Sequence, residues 1–93
     1  MPSIMPIDRE KISSGISDRE ILRTAIIAEL DAVNLYERLA EMTKDKSLKI
    51  VLMDVAIEEK THVGEFHALL MKFDKEQESE LTEGKKEVDE LTK

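Results

Sequence analysis

The 93-residue sequence contains no cysteine and no tryptophan, and its aromatic residues are one tyrosine and two phenylalanines. Without cysteine, the chain forms no disulfide, thiolate zinc site or iron–sulfur cluster, so only histidine, aspartate and glutamate remain as strong metal ligands. With so few aromatic residues, a chain of this length is expected to bury only a thin hydrophobic core. We therefore expect it to need a partner.

Positive charge is scarce as well. The chain has 14 basic and 21 acidic residues, a formal net charge of −7 and a pI near 4.8. Nucleic acids and anionic membranes both require a basic face, so the sequence predicts neither as a partner. No apolar run reaches the roughly 18 residues of a membrane span, and residues 8–11 are all charged, unlike a secretory signal. We expect a cytoplasmic protein.

Proline and glycine are rare, which favours long helices. Both prolines lie in residues 1–16, which we predict to be an extended N-terminal arm. Ser17 and Glu20 have the spacing of a capping box and predict a helix over residues 18–43. Asp45 can cap a second helix over residues 46–73. The charged tail, residues 74–93, is predicted to hold a short helix over residues 85–92, with Gly84 interrupting any longer one.

The short connection around Lys44 makes the two helices antiparallel. The predicted fold is thus all-α: a two-helix hairpin over residues 17–73, half of a four-helix bundle that dimerisation completes. Glu29 lies in the apolar stripe of the first helix, and Glu59 and His62 lie in that of the second. Glu29 and Glu59 are each 15 residues from Lys44, so both lie about 22 Å from the turn and can meet.

Carboxylates in an apolar seam are costly to ionise, so something must compensate. Two alternatives need no metal: Glu29 is paired with a lysine or arginine, or Glu59 and His62 form a salt-bridged pair at an interface. No basic residue lies in either inner stripe. Glu-x-x-His presents an oxygen and a nitrogen on one helical face, which predicts a metal site. Two copies of the hairpin would supply four carboxylates and two imidazoles, the ligand set of a di-iron site, and two divalent ions would balance the four negative charges.

Further residues near the seam receive secondary roles. Tyr36 is either plain core or a hydrogen-bond donor to a ligand carboxylate. Glu58 and Glu65 flank the seam and are read as rim carboxylates, with transient metal binding as the less favoured alternative, and Asp31 is expected to point away from the core. His67 lies about 140° round the helix from His62 and should face solvent or another subunit.

The segment Glu29-Leu30-Asp31-Ala32-Val33 with Tyr36, and the segment Glu58-Glu59-Lys60-Thr61-His62, resemble the encapsulated ferritins of the ferritin-like superfamily. The resemblance covers residues 18–73. It implies a ferroxidase that oxidises Fe(II) with dioxygen at a di-iron site shared by two hairpins, two iron ions per dimer. It also implies five dimers in a decameric ring and mineral storage inside an encapsulin nanocompartment.

By position in that family, Glu29 is implied to be the terminal carboxylate, Glu59 the bridging carboxylate and His62 the terminal imidazole. The chain departs from the family pattern at Ala28, where an acidic residue is common, and at Leu35, where tryptophan is common. The path by which iron reaches the site therefore stays open, with Asp31 as a candidate. No apolar shell-targeting peptide follows, so we expect a truncated chain, a fusion to the shell protein or another means of delivery.

Three other readings remain open. One is a non-enzymatic helical interaction module whose buried polar residues set the pairing register. The second is a protein dimer that binds zinc or manganese and catalyses no reaction. The third is a rubrerythrin-like peroxidase, which the missing rubredoxin cysteines disfavour.

Overall fold

The computed structural model describes residues 17–93, and the predicted arm over residues 1–16 lies outside them. Within that range the chain forms three helices, α1 (Asp18–Met42), α2 (Lys46–Phe73) and α3 (Lys75–Leu91), and no strand. The predicted all-α class is confirmed. None of the three helices combines the length and apolar character needed to cross a bilayer.

Side-chain caps determine where α1 and α2 begin. The Ser17 hydroxyl accepts a hydrogen bond from the Glu20 amide at 3.2 Å, and the Asp45 carboxylate accepts one from the Leu48 amide at 2.8 Å. Each cap satisfies an amide that has no partner within its helix. The predicted start of each helix is thereby confirmed, while α1 ends at Met42, one residue before the predicted end.

The hairpin core consists of few and mostly small side chains. Its buried apolar residues are Leu22, Val33 and Ala40 on α1 and Ala56 and Leu70 on α2. Ala40 and Ala56 are 1% and 0% exposed, and no large side chain is fully buried within the described range. Core residues of this size contribute little apolar area, so one hairpin gains only modest stability from its own interior.

The C-terminal helix is longer than the sequence predicts. α3 starts at Lys75 and passes through Gly84, so the prediction of a break there and of a helix confined to residues 85–92 was wrong. Glycine costs only about 1 kcal/mol relative to alanine in a helix interior. The Asp74 cap and the acidic first turn, with Glu76 and Glu78, favour the amino-terminal end of the helix. These local effects offset the free-energy cost of Gly84 in the helix.

Asp74 joins all three helices. Its amide donates to the Leu70 carbonyl at 2.8 Å, which ends α2, and its Oδ1 accepts from the Gln77 amide at 2.9 Å, which begins α3. Its other oxygen accepts a hydrogen bond from the Arg23 guanidinium of α1. The Asp74 side chain is only 5% exposed, while that of Arg23 is 47% exposed. This single carboxylate therefore fixes how α3 leaves the hairpin.

We predict that Asp74→Ala lowers the free energy of unfolding by about 2 kcal/mol, because it removes both a helix cap and a charge-assisted hydrogen bond. The matched control is Asp45→Ala, which removes an exposed cap without an arginine partner and should cost about 1 kcal/mol. Urea unfolding of the metal-free protein, followed by circular dichroism at one protein concentration, measures both. Equal losses would show that the bond to Arg23 contributes nothing.

Candidate metal centre

Glu29, Glu59 and His62 meet between α1 and α2. His62 Nδ1 lies 3.4 Å from Glu29 Oε2 and 3.6 Å from Glu59 Oε1. One potential ligand atom from each of the three residues lies within 4.8 Å of the others. The expected meeting of the three side chains across the hairpin is thus observed, and their role as metal ligands stays a prediction.

The site is half-buried and opens on one side. The side chains of Glu29 and Glu59 are 22% and 19% exposed, and that of His62 is 44% exposed. Glu29 Oε2 is buried and has no hydrogen-bond partner, which is costly for a carboxylate oxygen. A cation placed among the three residues would satisfy this oxygen. The donor set therefore fits a metal ion.

The Glu29 carboxylate also affects the protonation of Glu59. The polar contact with the Glu29 carboxylate, then partial burial, then the Glu29 charge raise the pKa of Glu59, and His62 lowers it by less. Because two nearby carboxylates repel when both are ionised, the metal-free site favours a proton on Glu59. A divalent cation would remove the same repulsion.

Protonation of His62 is governed by the same cluster. Partial burial lowers the pKa of His62, but the polar contact with Glu29 and the charges of Glu29, Glu59 and Glu65 together outweigh it, so the net shift is upward. Without metal, the imidazole therefore tends to hold a proton that balances part of the carboxylate charge. Metal binding must displace this proton, because only neutral imidazole coordinates a metal.

An acidic rim borders the open side. Glu58 and Glu65 are both exposed, as predicted. The polar contact with the Asp54 carboxylate, followed by the Asp54 charge and a smaller desolvation effect, raises the pKa of Glu58. Asp54 was not predicted from the sequence as part of this rim. Its position four residues before Glu58, on the same helical face, was the available signal. Together these three carboxylates give the entrance a negative field.

Three other predicted residues have different outcomes. Tyr36 is half-buried and forms no hydrogen bond to Glu29 or Glu59 in the described structure. His67 is exposed, as expected. Asp31 lies about 160° round α1 from Val33, so it points away from the hairpin core, as predicted, yet it is only 8% exposed. α1 is therefore covered on a second side, which the sequence pattern did not predict.

The structure also places the two positions at which the chain departs from the family pattern. Ala28 and Leu35 are half-buried on the same side of α1 as Asp31. With alanine at position 28 and Asp31 buried, neither position offers an exposed carboxylate to solvent. The exposed carboxylates nearest the ligands in sequence are instead Glu58 and Glu65 of α2.

The open side of the hairpin, which we call the site face, is apolar around the polar site. Helical geometry places five exposed apolar side chains on the same side as His62. They are Ile21, Leu48, Val51, Leu69 and Phe73, with exposed fractions from 44% to 57%. A contiguous apolar patch of this kind marks an interaction surface.

The chain has clear relatives. The rubrerythrin family matches residues 20–93. A ferritin-like–encapsulin shell fusion protein of Pyrococcus furiosus is 54% identical over 94 residues, which cover 99% of this chain and 27% of the relative. The encapsulin nanocompartment cargo protein EncC of Myxococcus xanthus is 34% identical over 80 residues, which cover 83% of this chain and 61% of the relative. The chain thus spans about a quarter of the first relative's length (27%).

The fold has a close match of known structure. The crystal structure of the encapsulated ferritin domain from Pyrococcus furiosus superposes with a TM-score of 0.79 at 52% identity, over 95% of this chain and 84% of that domain. Its likeness extends to the hairpin and the C-terminal helix. The chain therefore belongs to the rubrerythrin family of ferritin-like proteins and, within it, to the encapsulated ferritins.

Proposed function

We propose that this protein is a ferroxidase, which oxidises Fe(II) to Fe(III) with dioxygen. The observation that carries the proposal is the set of three ligand atoms within 4.8 Å, with Glu29 Oε2 buried and without a hydrogen bond. Carboxylate oxygens and imidazole nitrogen suit iron in both oxidation states, and hard oxygen ligands favour the ferric product. Iron bound here would supply the electrons, one from each Fe(II).

A second copy of the chain completes the proposed site. One hairpin offers three ligands from one side, and the site face surrounds them with exposed apolar side chains. If two site faces pack about a two-fold axis, four carboxylates and two imidazoles enclose two iron ions. In this arrangement Glu59 would bridge the ions, while Glu29 and His62 would be terminal ligands. Dimers of this kind are proposed to form a decameric ring.

The residues around the site have separable tasks. Glu29 and Glu59 provide the negative charge that binds the cations, and His62 provides a neutral nitrogen after losing its proton. The rim carboxylates Glu58 and Glu65 raise the local concentration of Fe(II), because an acidic entrance attracts cations. Tyr36 remains a candidate hydrogen-bond donor that would act only after side-chain rearrangement.

We also propose an encapsulin shell as partner and an encapsulin compartment in the cytoplasm as the place of action. One relative is fused to an encapsulin shell and the other is an encapsulin cargo protein. In this setting the chain would deliver Fe(III) for mineral storage. Two other functions remain to be distinguished: a rubrerythrin-like peroxidase, favoured by the family match, and a metal-stabilised interaction module without turnover, favoured by the apolar site face.

We predict that Glu59→Ala slows iron oxidation by more than about 100-fold. Replacing a residue that only hydrogen-bonds to a metal ligand already lowers metal affinity or activity about 10- to 100-fold, and Glu59 is itself a proposed ligand. The protein is loaded with Fe(II) without oxygen, air is admitted, and ferric absorbance is followed. The matched control is Glu58→Ala, which removes a neighbouring carboxylate from the rim and should slow the reaction far less. Wild-type rates in Glu59→Ala, or no oxidation above the buffer control, contradict the proposal.

The same assay separates the alternatives. Hydrogen peroxide replaces air in a parallel sample of the Fe(II)-loaded protein. Faster oxidation by peroxide than by dioxygen would favour the peroxidase. Bound metal without turnover by either oxidant would favour the interaction module.

We predict opposite pH dependences for stability and metal binding. The pKa values of Glu59 and His62 lie above their ordinary values of 4.5 and 6.5. Their protons therefore stabilise the metal-free fold fully below these ordinary values, and this stabilisation is lost as pH rises through the raised values. Metal binding needs the deprotonated groups, so affinity rises over the same range.

The measurement is urea unfolding from pH 5 to 8 with chelator, beside calorimetric titration with Zn(II) as a redox-inert probe. The double variant Glu59→Gln, His62→Gln is the control and should lose most of both pH dependences. A variant as pH-sensitive as the wild type would assign these effects to other groups.

We further predict that iron increases the mass of the assembly. Clustered carboxylates from two chains repel until a cation neutralises them, so metal and dimer formation are coupled. Light scattering of the metal-free and Fe(II)-loaded protein, both under nitrogen, measures the change, with His62→Ala as the control. An unchanged mass on adding Fe(II) would refute the coupling.

A further inference from the structure

Glu37 of α1 and Lys60 of α2 form an ion pair across the hairpin. Lys60 Nζ lies 3.0 Å from Glu37 Oε2, and the two side chains are 56% and 41% exposed. Lys60 lies about 160° round α2 from His62, and Glu37 lies about 80° round α1 from Glu29. The pair is therefore on the other side of the seam from the open side of the candidate metal site.

Neither member of the pair has an oppositely charged neighbour on its own helix. Side chains three or four positions apart are neighbours on a helix surface. Those around Lys60 are Ala56, Ile57, Val63 and Gly64, and those around Glu37 are Val33, Asn34, Ala40 and Glu41. None of them could compete for the pair, so the sequence leaves this ammonium and this carboxylate to each other.

The pair crosses the hairpin diagonally. Glu37 is seven residues from Lys44 in the turn, about 10 Å along the axis, and Lys60 is 16 residues from it, about 24 Å. The two backbones are thus offset by about 14 Å, and the long side chains span this offset because each inclines toward the amino-terminal end of its own helix. A diagonal contact of this kind opposes sliding of one helix along the other.

Sliding is the motion that the candidate site tolerates least. Glu29 and Glu59 meet because they lie at the same height, and their carboxylates repel each other when both are ionised. The buried seam between the helices includes Ala40 and Ala56, which are 1% and 0% exposed. Such small side chains form shallow ridges that interlock little between helices. A further constraint on the height of α2 therefore acts on the site.

We propose that Glu37 and Lys60 are positioning residues, whose ion pair holds α2 at the height at which Glu59 and His62 meet Glu29. This inference rests on the proposed metal site and adds to it two residues that touch no metal. The effect is limited in size, because an exposed ion pair contributes little free energy. It corresponds to a change in metal affinity of about two- to fivefold.

Replacing Lys60 separates positioning from simple electrostatics, because the two effects have opposite signs. Lys60→Gln removes a positive charge near a cation site, so electrostatics alone would strengthen binding of Zn(II). Loss of the correct height would weaken it. We expect Lys60→Gln to raise the Kd for Zn(II) about two- to fivefold, measured by calorimetric titration of the whole chain at one protein concentration.

Two variants are the controls. Lys49→Gln is the matched change, since Lys49 lies about 20° round α2 from Lys60 and forms no ion pair within residues 17–93. It should not raise the Kd. Lys60→Arg keeps both the cation and the reach of the side chain and should bind Zn(II) as the wild type does. Urea unfolding with chelator should change little in Lys60→Gln, whereas a merely structural role would change unfolding and leave the Kd unaltered.

Charge exchange tests the pair itself. Glu37→Lys and Lys60→Glu each bring two like charges together and should weaken Zn(II) binding more than Lys60→Gln does. The two changes combined restore an ion pair of opposite orientation and should recover most of the affinity. A Kd in Lys60→Gln that is unchanged or lower, or no recovery in the double variant, would overturn the proposal.

Failure of the proposed function gives a different result. If the wild type binds no Zn(II), the metal site and the positioning role fail together. If the wild type binds Zn(II) and Lys60→Gln weakens this binding, but Fe(II) is not oxidised, the ferroxidase proposal alone fails. If Fe(II) is oxidised and Lys60→Gln binds Zn(II) as tightly as the wild type, the positioning role alone fails.

Discussion

The three-residue turn Thr43–Asp45 is the constraint on which the remaining structure depends. A turn this short favours antiparallel helices, and in that arrangement Glu29 and Glu59 lie at the same height. One residue added to either side would rotate a ligand by about 100° around its helix and out of the seam. The Asp45 cap, bonded to the Leu48 amide, fixes where α2 starts and therefore where its ligands lie.

Placing two carboxylates together has a cost that the rest of the chain does not offset. The raised pKa values of Glu59 and His62 show protons acting as weak substitutes for a cation. Glu29 Oε2 receives no hydrogen bond at all. A core of Leu22, Val33, Ala40, Ala56 and Leu70 provides little stability in compensation. A site that is unfavourable when empty gains the most from binding metal, so assembly and metal loading are expected to be coupled.

Sequence patterns predicted those features that depend on local chemistry. Caps at Ser17 and Asp45 gave the starts of α1 and α2, and stripe spacing brought the three candidate ligands together. The features that were not predicted depend on contacts between distant residues or on small differences in free energy. Gly84 was taken as a helix break although its cost is only about 1 kcal/mol. The burial of Asp31 was not predicted, because periodicity shows one covered side of a helix and cannot show a second. The bond between Arg23 and Asp74 spans 51 residues and leaves no periodic signal.

The distribution of charge on α2 favours a cation at the candidate site. The helix is electrically balanced, with four lysines and four acidic residues, yet the acids lie on the half of the helix that carries His62 and three lysines lie on the other half. Lys72 lies on the acidic half but is ten residues, about 15 Å along the axis, from His62. An even distribution would serve solubility equally well and would place lysines beside the ligands, where they would compete with the cation. The distribution observed on α2 keeps the surroundings of Glu59 and His62 acidic, which favours a cation over a lysine ammonium beside the candidate ligands.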